Sequence, residues 1–288
     1  MAYKKYVIEK QYKSVYIFLK SNGFSENFIS NLRKKEGFIK INNDVVNIRH
    51  SLYVGDELYI EDSPNTKTSI MHCILPLNIV YEDDYYLLVN KPSGLDCMPN
   101  KSHYSLNLAG AVCYYFKDKE NFVLRIINRL DKDTAGLILI AKSSIAQKDV
   151  KDIQKVYYAV CKGKIDKDII IDKKIETVVS GGINEKRRII SANGKEAKTF
   201  VHPVKSGENY SLISLSLTHG RTHQIRLHLS SISHPLVGDE LYGEKDEGID
   251  HTLLLCKEFS FFHPYLQKIL KFEIDFPEDF KKYIEKIK

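Results

Sequence analysis

The chain has 288 residues, enough for one or two domains with a sizeable core. A hydrophobic content of 43% excludes wholesale disorder, and 28% charged residues with no run of membrane-spanning length point to a soluble protein. The net charge of +6 suits a polyanionic partner, while five cysteines without a CxxC pair argue against a disulfide framework or zinc ribbon.

The opening MAYKKYVIEKQYK has no apolar signal core, so a cytoplasmic location is expected. Residues 14–22 place Val15, Phe18 and Leu19 on one helical face and stop at Gly23. Ser25 can cap a second helix with Phe28, Ile29 and Leu32 inward, closed by the cations Arg33, Lys34 and Lys35. Gly37 breaks it, residues 38–41 read as a strand, Asn42-Asn43 as a turn into Val45-Val46, and Gly55-Asp56 as a turn into a strand at 58–60. Between Lys10 and Lys40 seven Lys/Arg face two acids, so one end of this unit is basic. Residues 62–72 are polar, contain Pro64 and show no periodicity, which marks a linker.

Residues 79–82 and 85–90, around Asp83-Asp84, read as a hairpin that runs into the Lys91-Pro92-Ser93-Gly94-Leu95 turn. Leu106, Ala109, Cys113 and Phe116 repeat at helical spacing. In INRLDKDTAGLILIA, residues 127–141, Asp131 sits between Arg129 and Lys132, just before the apolar run 137–141 that reads as a buried strand. A carboxylate there is a candidate nucleophile or base; a salt-bridged or solvated turn is the plainer reading. A helix is predicted over 144–153 and a strand over 155–163, with Tyr157 and Ala159 on one face. Residues 164–218 read as short antiparallel strands broken by Gly181-Gly182, Gly194 and Gly207, with EKRR at 185–188 as a basic hairpin tip or loop. Thr222 can cap a helix carrying Ile225 and Leu229 that closes before Pro235. His219, His223 and His228 invite a metal, but no HExxH pattern, carboxylate at ligand spacing or nearby cysteine accompanies them, so no metal site is expected. Short strands at 253–255, 260–262 and 272–276 and a helix over 278–287 end the chain.

The first fifty or so residues, with a helix ending in RKK, then GFIKINNDVV and VGDELYIE, resemble the S4 RNA-binding module. An ordinary small helical domain is the alternative. Farther on, KPSGL, NRLDKDTAGLILIAKS, KVYYAV and LTHGRTHQIRLHLSSISHPLVGDELYG, in this order over residues 75–280, resemble the RluA family of RNA pseudouridine synthases. The resemblance implies an α+β protein. A small S4-like α/β RNA-binding domain (1–64) and a linker (65–74) would precede a pseudouridine synthase catalytic domain (75–288), built on a mixed, mainly antiparallel sheet with flanking helices and a central cleft. It also implies Asp131 as the catalytic aspartate, Arg226 as the arginine paired with it, and Tyr157 as the aromatic stacked on the target base, with proton transfer at the uracil as its second expected role. Arg129, Thr134, Lys155, Arg221, His223 and Gln224 are expected at the substrate, and Arg33, Lys34 and Lys35 on RNA. Asn128 and Ala135 depart from the family pattern, which more often has histidine and serine there.

The chemistry is consistent with those residues. Converting uridine to its C-glycoside breaks a C–N bond, turns the uracil over and forms a C–C bond. Uracil leaves as a stabilised anion, so no cofactor is expected. The reaction needs an ionised carboxylate at the ribose or the base, in a pocket that holds a flipped nucleotide. Burial raises a carboxyl pKa by up to about 3–5 pH units and an adjacent guanidinium lowers it by about 1–3, which would keep the charged form. The expected partner is RNA, ribosomal first and transfer RNA second, with no membrane and a monomeric protein. A non-catalytic ribosome- or RNA-associated binding protein that keeps the fold is the other hypothesis; it would not need the aspartate.

Overall fold

The computed structural model describes residues 3–34, 38–61, 70–99, 106–119, 122, 124–180, 185–246 and 248–288, without the side chains of 180, 185 and 186. In chain order the elements begin β1 (Tyr3–Val7), α1 (Val15–Ser21), α2 (Glu26–Arg33), β2 (Ile39–Ile41), β3 (Asp44–Val45), β4 (Glu57–Glu61), β5 (Asn78–Glu82) and β6 (Tyr86–Lys91). Next come α3 (Leu108–Tyr115), β7 (Arg125–Ile126), β8 (Ala135–Ala141), α4 (Ser144–Asp149), β9 (Lys151–Lys162), β10 (Ile169–Asp172), β11 (Ile175–Ser180) and β12 (Glu185–Ile190). The last are β13 (Lys198–Ser206), β14 (Tyr210–Leu217), α5 (Gln224–Ser230), β15 (Leu254–His263), β16 (Lys268–Glu273) and α6 (Glu278–Glu285). They form two compact units, and β6 and β8 run through both.

The first unit takes in residues Met1–Leu88, Ala109–Asn128 and Leu139–Val150. Ser14 and Ser25 cap α1 and α2, their hydroxyls accepting from the Ile17 and Phe28 amides. Both helices turn apolar residues onto a four-stranded sheet of order β1-β4-β2-β3. Asn42 and Asn43, with φ of 50° and 80°, make the turn between β2 and β3, a conformation asparagine tolerates better than most residues. The core of this module includes Ile145 from α4, and Lys4 of β1 pairs with Asp149 at the end of that helix. β1 lies where the sequence pattern predicts no strand; it pairs antiparallel with β4 from Tyr3↔Glu61 to Val7↔Glu57. Elsewhere in the unit the strand order is β8-β6-β5, and β7 pairs with the end of β8.

The second unit takes in Val89–Leu108, Arg129–Ile138 and Lys151–Lys288. Its strand order is β10-β13-β14-β9-β15-β8, with β16 beside β15. Along that order every pairing is antiparallel except β15 with β8, so the sheet is mixed, as expected. Pro203 is tolerated inside β13 because the register slips beside it, between Pro203 and Lys205. α6 buries Phe280 and Tyr283, with Ile287 just beyond it, against Val160, Leu212, Val237 and Leu253.

Three boundaries differ from the sequence reading. The helix expected over 144–153 ends at Asp149, because Val150 turns extended and the residues after it already belong to β9. Two of the late strands are one, β15, whose register shifts near Glu258 and Phe262 break the periodicity that a single strand would show. Arg187 and Arg188 lie within β12 of a two-stranded ribbon rather than at a hairpin tip. Lys35, Gly37, Gly181-Gly182 and residues 62–69 of the expected linker lie outside the described residues.

Candidate active site

The Asp131 loop is held from both sides by the Lys91–Cys97 turn. Lys91 is wholly buried, and its Nζ donates to Pro92 O at 2.8 Å, Leu95 O at 2.8 Å and Lys132 O at 3.0 Å. Ser93 Oγ donates to Asp133 O at 2.7 Å. Cys97 Sγ donates to Leu130 O at 3.1 Å and accepts from Leu130 N at 3.4 Å. The residues on either side of Asp131, and the one after them, are thus fixed, while Asp131 itself remains half-exposed. Burial pushes the Lys91 amine down to about 8 against the pull of Cys97, Asp133, Asp96 and Asp131. Thr134 is buried, and its amide closes the loop on Asp131 O at 3.2 Å.

Tyr157, on β9, is 6% exposed. Its phenol is held far above the ordinary value, chiefly by burial and then by Cys256 and Asp131. Lys155 Nζ lies 5.9 Å from the centre of the Tyr157 ring. Arg129 is exposed.

The N-cap of α5 is His223, not Thr222. His223 takes a left-handed φ of 57° and makes no side-chain cap bond. The Gln224 amide is engaged at both ends: it accepts from Arg221 N at 3.0 Å and donates to Lys198 O at 3.0 Å and Thr199 Oγ1 at 3.2 Å. Arg221 Nε donates to Glu196 O at 3.2 Å. His228 is fully buried, with Nδ1 2.9 Å from Thr199 Oγ1 and Nε2 2.9 Å from Lys173 O.

Arg226 corrects the sequence reading. Its direct carboxylate partner is Asp239, in place of the Asp131 expected: Nε donates to Asp239 Oδ2 at 2.8 Å and Nη2 to Oδ1 at 2.7 Å. Asp239 is wholly buried and also accepts from the Leu241 and Tyr242 amides. Burial works against the Arg226 charge, but Asp239 outweighs it and Asp131 and Asp133 add to the upward shift. Tyr242 completes the group, its ring 5.5 Å from the Arg226 guanidinium and its hydroxyl 3.0 Å from His223 Nδ1. The charge of Asp131 acts on Tyr157, His223, Arg226 and Tyr242, so these five residues form one electrostatic cluster. Lys91, Asp239 and Tyr242 lie within the KPSGL and GDELYG motifs, which are the only sequence signal at them, and Cys97 lies outside both. In the first unit, Arg33 stacks on Tyr16 with its guanidinium 5.4 Å from the ring centre, and Lys34 Nζ reaches Asn31 Oδ1 at 3.4 Å.

Residues 85–231 match the RNA pseudouridylate synthase family. An uncharacterized RNA pseudouridine synthase of Aquifex aeolicus (strain VF5) is 32% identical over 281 residues, which are 90% of this chain and 88% of that protein. Ribosomal large subunit pseudouridine synthase D of Pasteurella multocida (strain Pm70) is 32% identical over 276 residues, 88% of this chain and 84% of that one. The solved structure of human RNA pseudouridylate synthase domain containing 1 shares the fold, with a TM-score of 0.58 at 23% identity over 74% of this chain and 86% of that one. The chain belongs to the RNA pseudouridylate synthase family, and it is an RNA pseudouridine synthase.

Proposed function

We propose that this enzyme converts particular uridines of structured RNA, ribosomal RNA first, to pseudouridine, with Asp131 as its catalytic carboxylate. The observation that carries the reading is the loop: backbone atoms of Leu130, Lys132 and Asp133 are pinned, while Asp131 is left accessible. A group presented in this way is preorganised for a reaction and does little for the fold. The carboxylate attacks C1′, attacks the base or deprotonates C2′, and the N1–C1′ bond breaks with uracil leaving. Tyr157 stacks on the flipped base. Arg226, anchored by Asp239, provides a fixed positive charge that favours the ionised form of Asp131 and offsets charge on the departing uracil. Residues 1–64 act as the S4-like RNA-binding domain, with Arg33, Lys34 and Lys35 on phosphate, followed by the linker 65–74 and the catalytic domain 75–288. Ribosomal RNA is favoured because relatives such as the Pasteurella multocida protein carry that substrate in their names.

The test is to map pseudouridines in total RNA from cells with and without the protein, and again with Asp131→Asn in its place. The expected outcome is loss of the same ribosomal sites in the deletion and in the variant. Asparagine is isosteric with the parent side chain, so fold and RNA affinity should persist. Turnover by the purified variant equal to the parent's would remove Asp131 from the chemistry.

A further inference from the structure

Two helices of the first unit set side-chain amides against each other across a crevice. In α2 the core takes Ile29 and Leu32, while Asn27 and Asn31, four residues apart, share an exposed face. In α4 the core takes Ile145 and Ala146, while Ser144 and Gln147, three apart, share an outward one. The crevice has a volume of about 310 Å³, and Asn27, Phe28, Asn31, Arg125, Gln147 and Lys148 supply its chemistry. All of them belong to the first unit. The size is at the lower end of ligand sites, about 300–1,000 Å³, and gives room for one nucleotide.

The walls are polar where the fold does not require it. The side chains of Asn27 and Gln147 make no hydrogen bond among the described residues, and the Asn31 amide is reached only by Lys34 Nζ, at 3.4 Å. The apolar part of the lining is mainly aromatic. Phe28, half-exposed, stacks on Phe24 with ring centres 5.0 Å apart and planes 25° from parallel. Lys148 Nζ lies 4.5 Å from the centre of the Phe24 ring.

Charge favours an anion here. Arg125 is fixed to the wall by Ser144, its Nη2 donating to Oγ at 2.5 Å. Asp149, next to Lys148, is shared with Lys4, so one carboxylate faces two ammonium groups. Glu26 turns the other way, onto Lys20 at 2.7 Å and the Tyr16 hydroxyl at 3.2 Å. Among the described residues no acidic side chain lines the crevice. A phosphate alone asks only for donors, which lysine and arginine supply. Side-chain amides carry a donor and an acceptor at fixed spacing, the pattern of a nucleobase edge. In RNA it is the unpaired bases that offer such edges and stack on aromatic rings.

We propose that this crevice holds one unpaired nucleotide of the substrate RNA other than the target uridine. Asn27, Asn31 and Gln147 read the edge of its base, Phe28 packs against it, and Arg125 and Lys148 stand beside its phosphate. This rests on structured RNA being the substrate, as proposed above, and is independent of Asp131.

The probes are a blunt RNA hairpin closed by a UUCG loop and the same hairpin with a 3′ tail of ten A, ten C, ten U or alternating A and G. Equilibrium binding to the full-length parent and to Asn27→Ala/Asn31→Ala/Gln147→Ala is followed by fluorescence anisotropy over a salt series. The parent should bind at least one tailed hairpin more tightly than the blunt one. In the triple variant that gain should fall about 10-fold or vanish, with affinity for the blunt hairpin kept. The slope of log affinity on log salt should also be kept, since amides displace no counterions. A parent indifferent to all four tails, or a variant that keeps the gain, overturns the proposal and leaves the crevice to solvent or to a protein partner. An equal loss on blunt and tailed hairpins, or a flattened slope, also overturns it, because either traces the effect to disturbed packing or to phosphate contacts. Should the triple variant fail to fold, Asn27→Ala and Gln147→Ala decide singly. Each should lower the gain about 2–10-fold, and no change in either overturns the proposal. Binding is read without turnover. Ribosomal sites missing from the mapping, or parent-like turnover by Asp131→Asn, would count against the function proposed above and leave these results standing.

Discussion

At the scale of single residues, the pair Arg226–Asp239 carries the main consequence for the site. Two parallel N–H···O bonds on a wholly buried carboxylate fix the plane of the guanidinium, which a lysine could not do. Arg226 therefore faces Asp131 as a preset charge at longer range rather than as a contact ion pair. Asp239→Asn should leave that charge buried without its counterion, lowering stability by about 3–5 kcal/mol. Denaturant unfolding of the variant measures the loss. Because both side chains serve one pair, Arg226→Met with Asp239→Asn should cost less in stability than the sum of the two single changes. Additive losses would mean that the two residues act separately.

At the scale of elements, the loop bearing Asp131 depends on where β8 begins. Gly136 has φ +117°, and a Cβ there would clash with the Cys256 backbone, lying 2.6 Å from its nitrogen. The parallel register Ala135↔Leu255 and Gly136↔Cys256 is therefore open only to glycine. Gly136→Ala should push β8 off β15 at its first residues and displace Asp131 with it. The expected result is a loss of more than about 2 kcal/mol in stability, typical of overpacked and strained sites, with a loss of activity. A variant with parental unfolding midpoint and turnover would show that β8 entry does not position the loop. Apolar periodicity is enough to locate α1, α2, β8 and α6 from the sequence. It does not locate β1, whose YKKYV has little alternation, or the break at Val150. Those depend on pairing with β4 and β15, partners distant in sequence.

At the scale of the whole molecule, the contribution proposed for the cations of the leading module can be tested apart from the chemistry. A groove of about 1020 Å³ is lined by Tyr16, Arg33, Asn47, Arg49 and His50. The module's core includes Ile145, so deleting it would uncover apolar surface; charge substitutions are the cleaner probe. Arg33→Gln with Lys34→Gln should weaken RNA binding and flatten the dependence of log affinity on log salt, by about 0.7–0.9 for each phosphate no longer neutralised. Single-turnover rates at saturating RNA should stay close to the parent's, since they report the assembled site. An unchanged salt slope would remove these cations from the RNA interface.

Much of the site is legible in the chain itself. Asp131 before a buried strand, Tyr157 on an alternating strand and Arg226 on an apolar-faced helix can all be placed from pattern, and the motifs around them mark them as candidates for the site. What hydrophobic pattern reports is which face of an element is buried. It does not report which group from another segment will meet that face. Asp239 lies thirteen residues beyond Arg226 and Asp131 ninety-five before it, so their competition for one guanidinium is decided by the packing of α5. The left-handed turn at His223 and the enclosure of Lys91 by three carbonyls arise in the same way. Each balances local strain or buried charge against interactions that exist only once distant segments have come together.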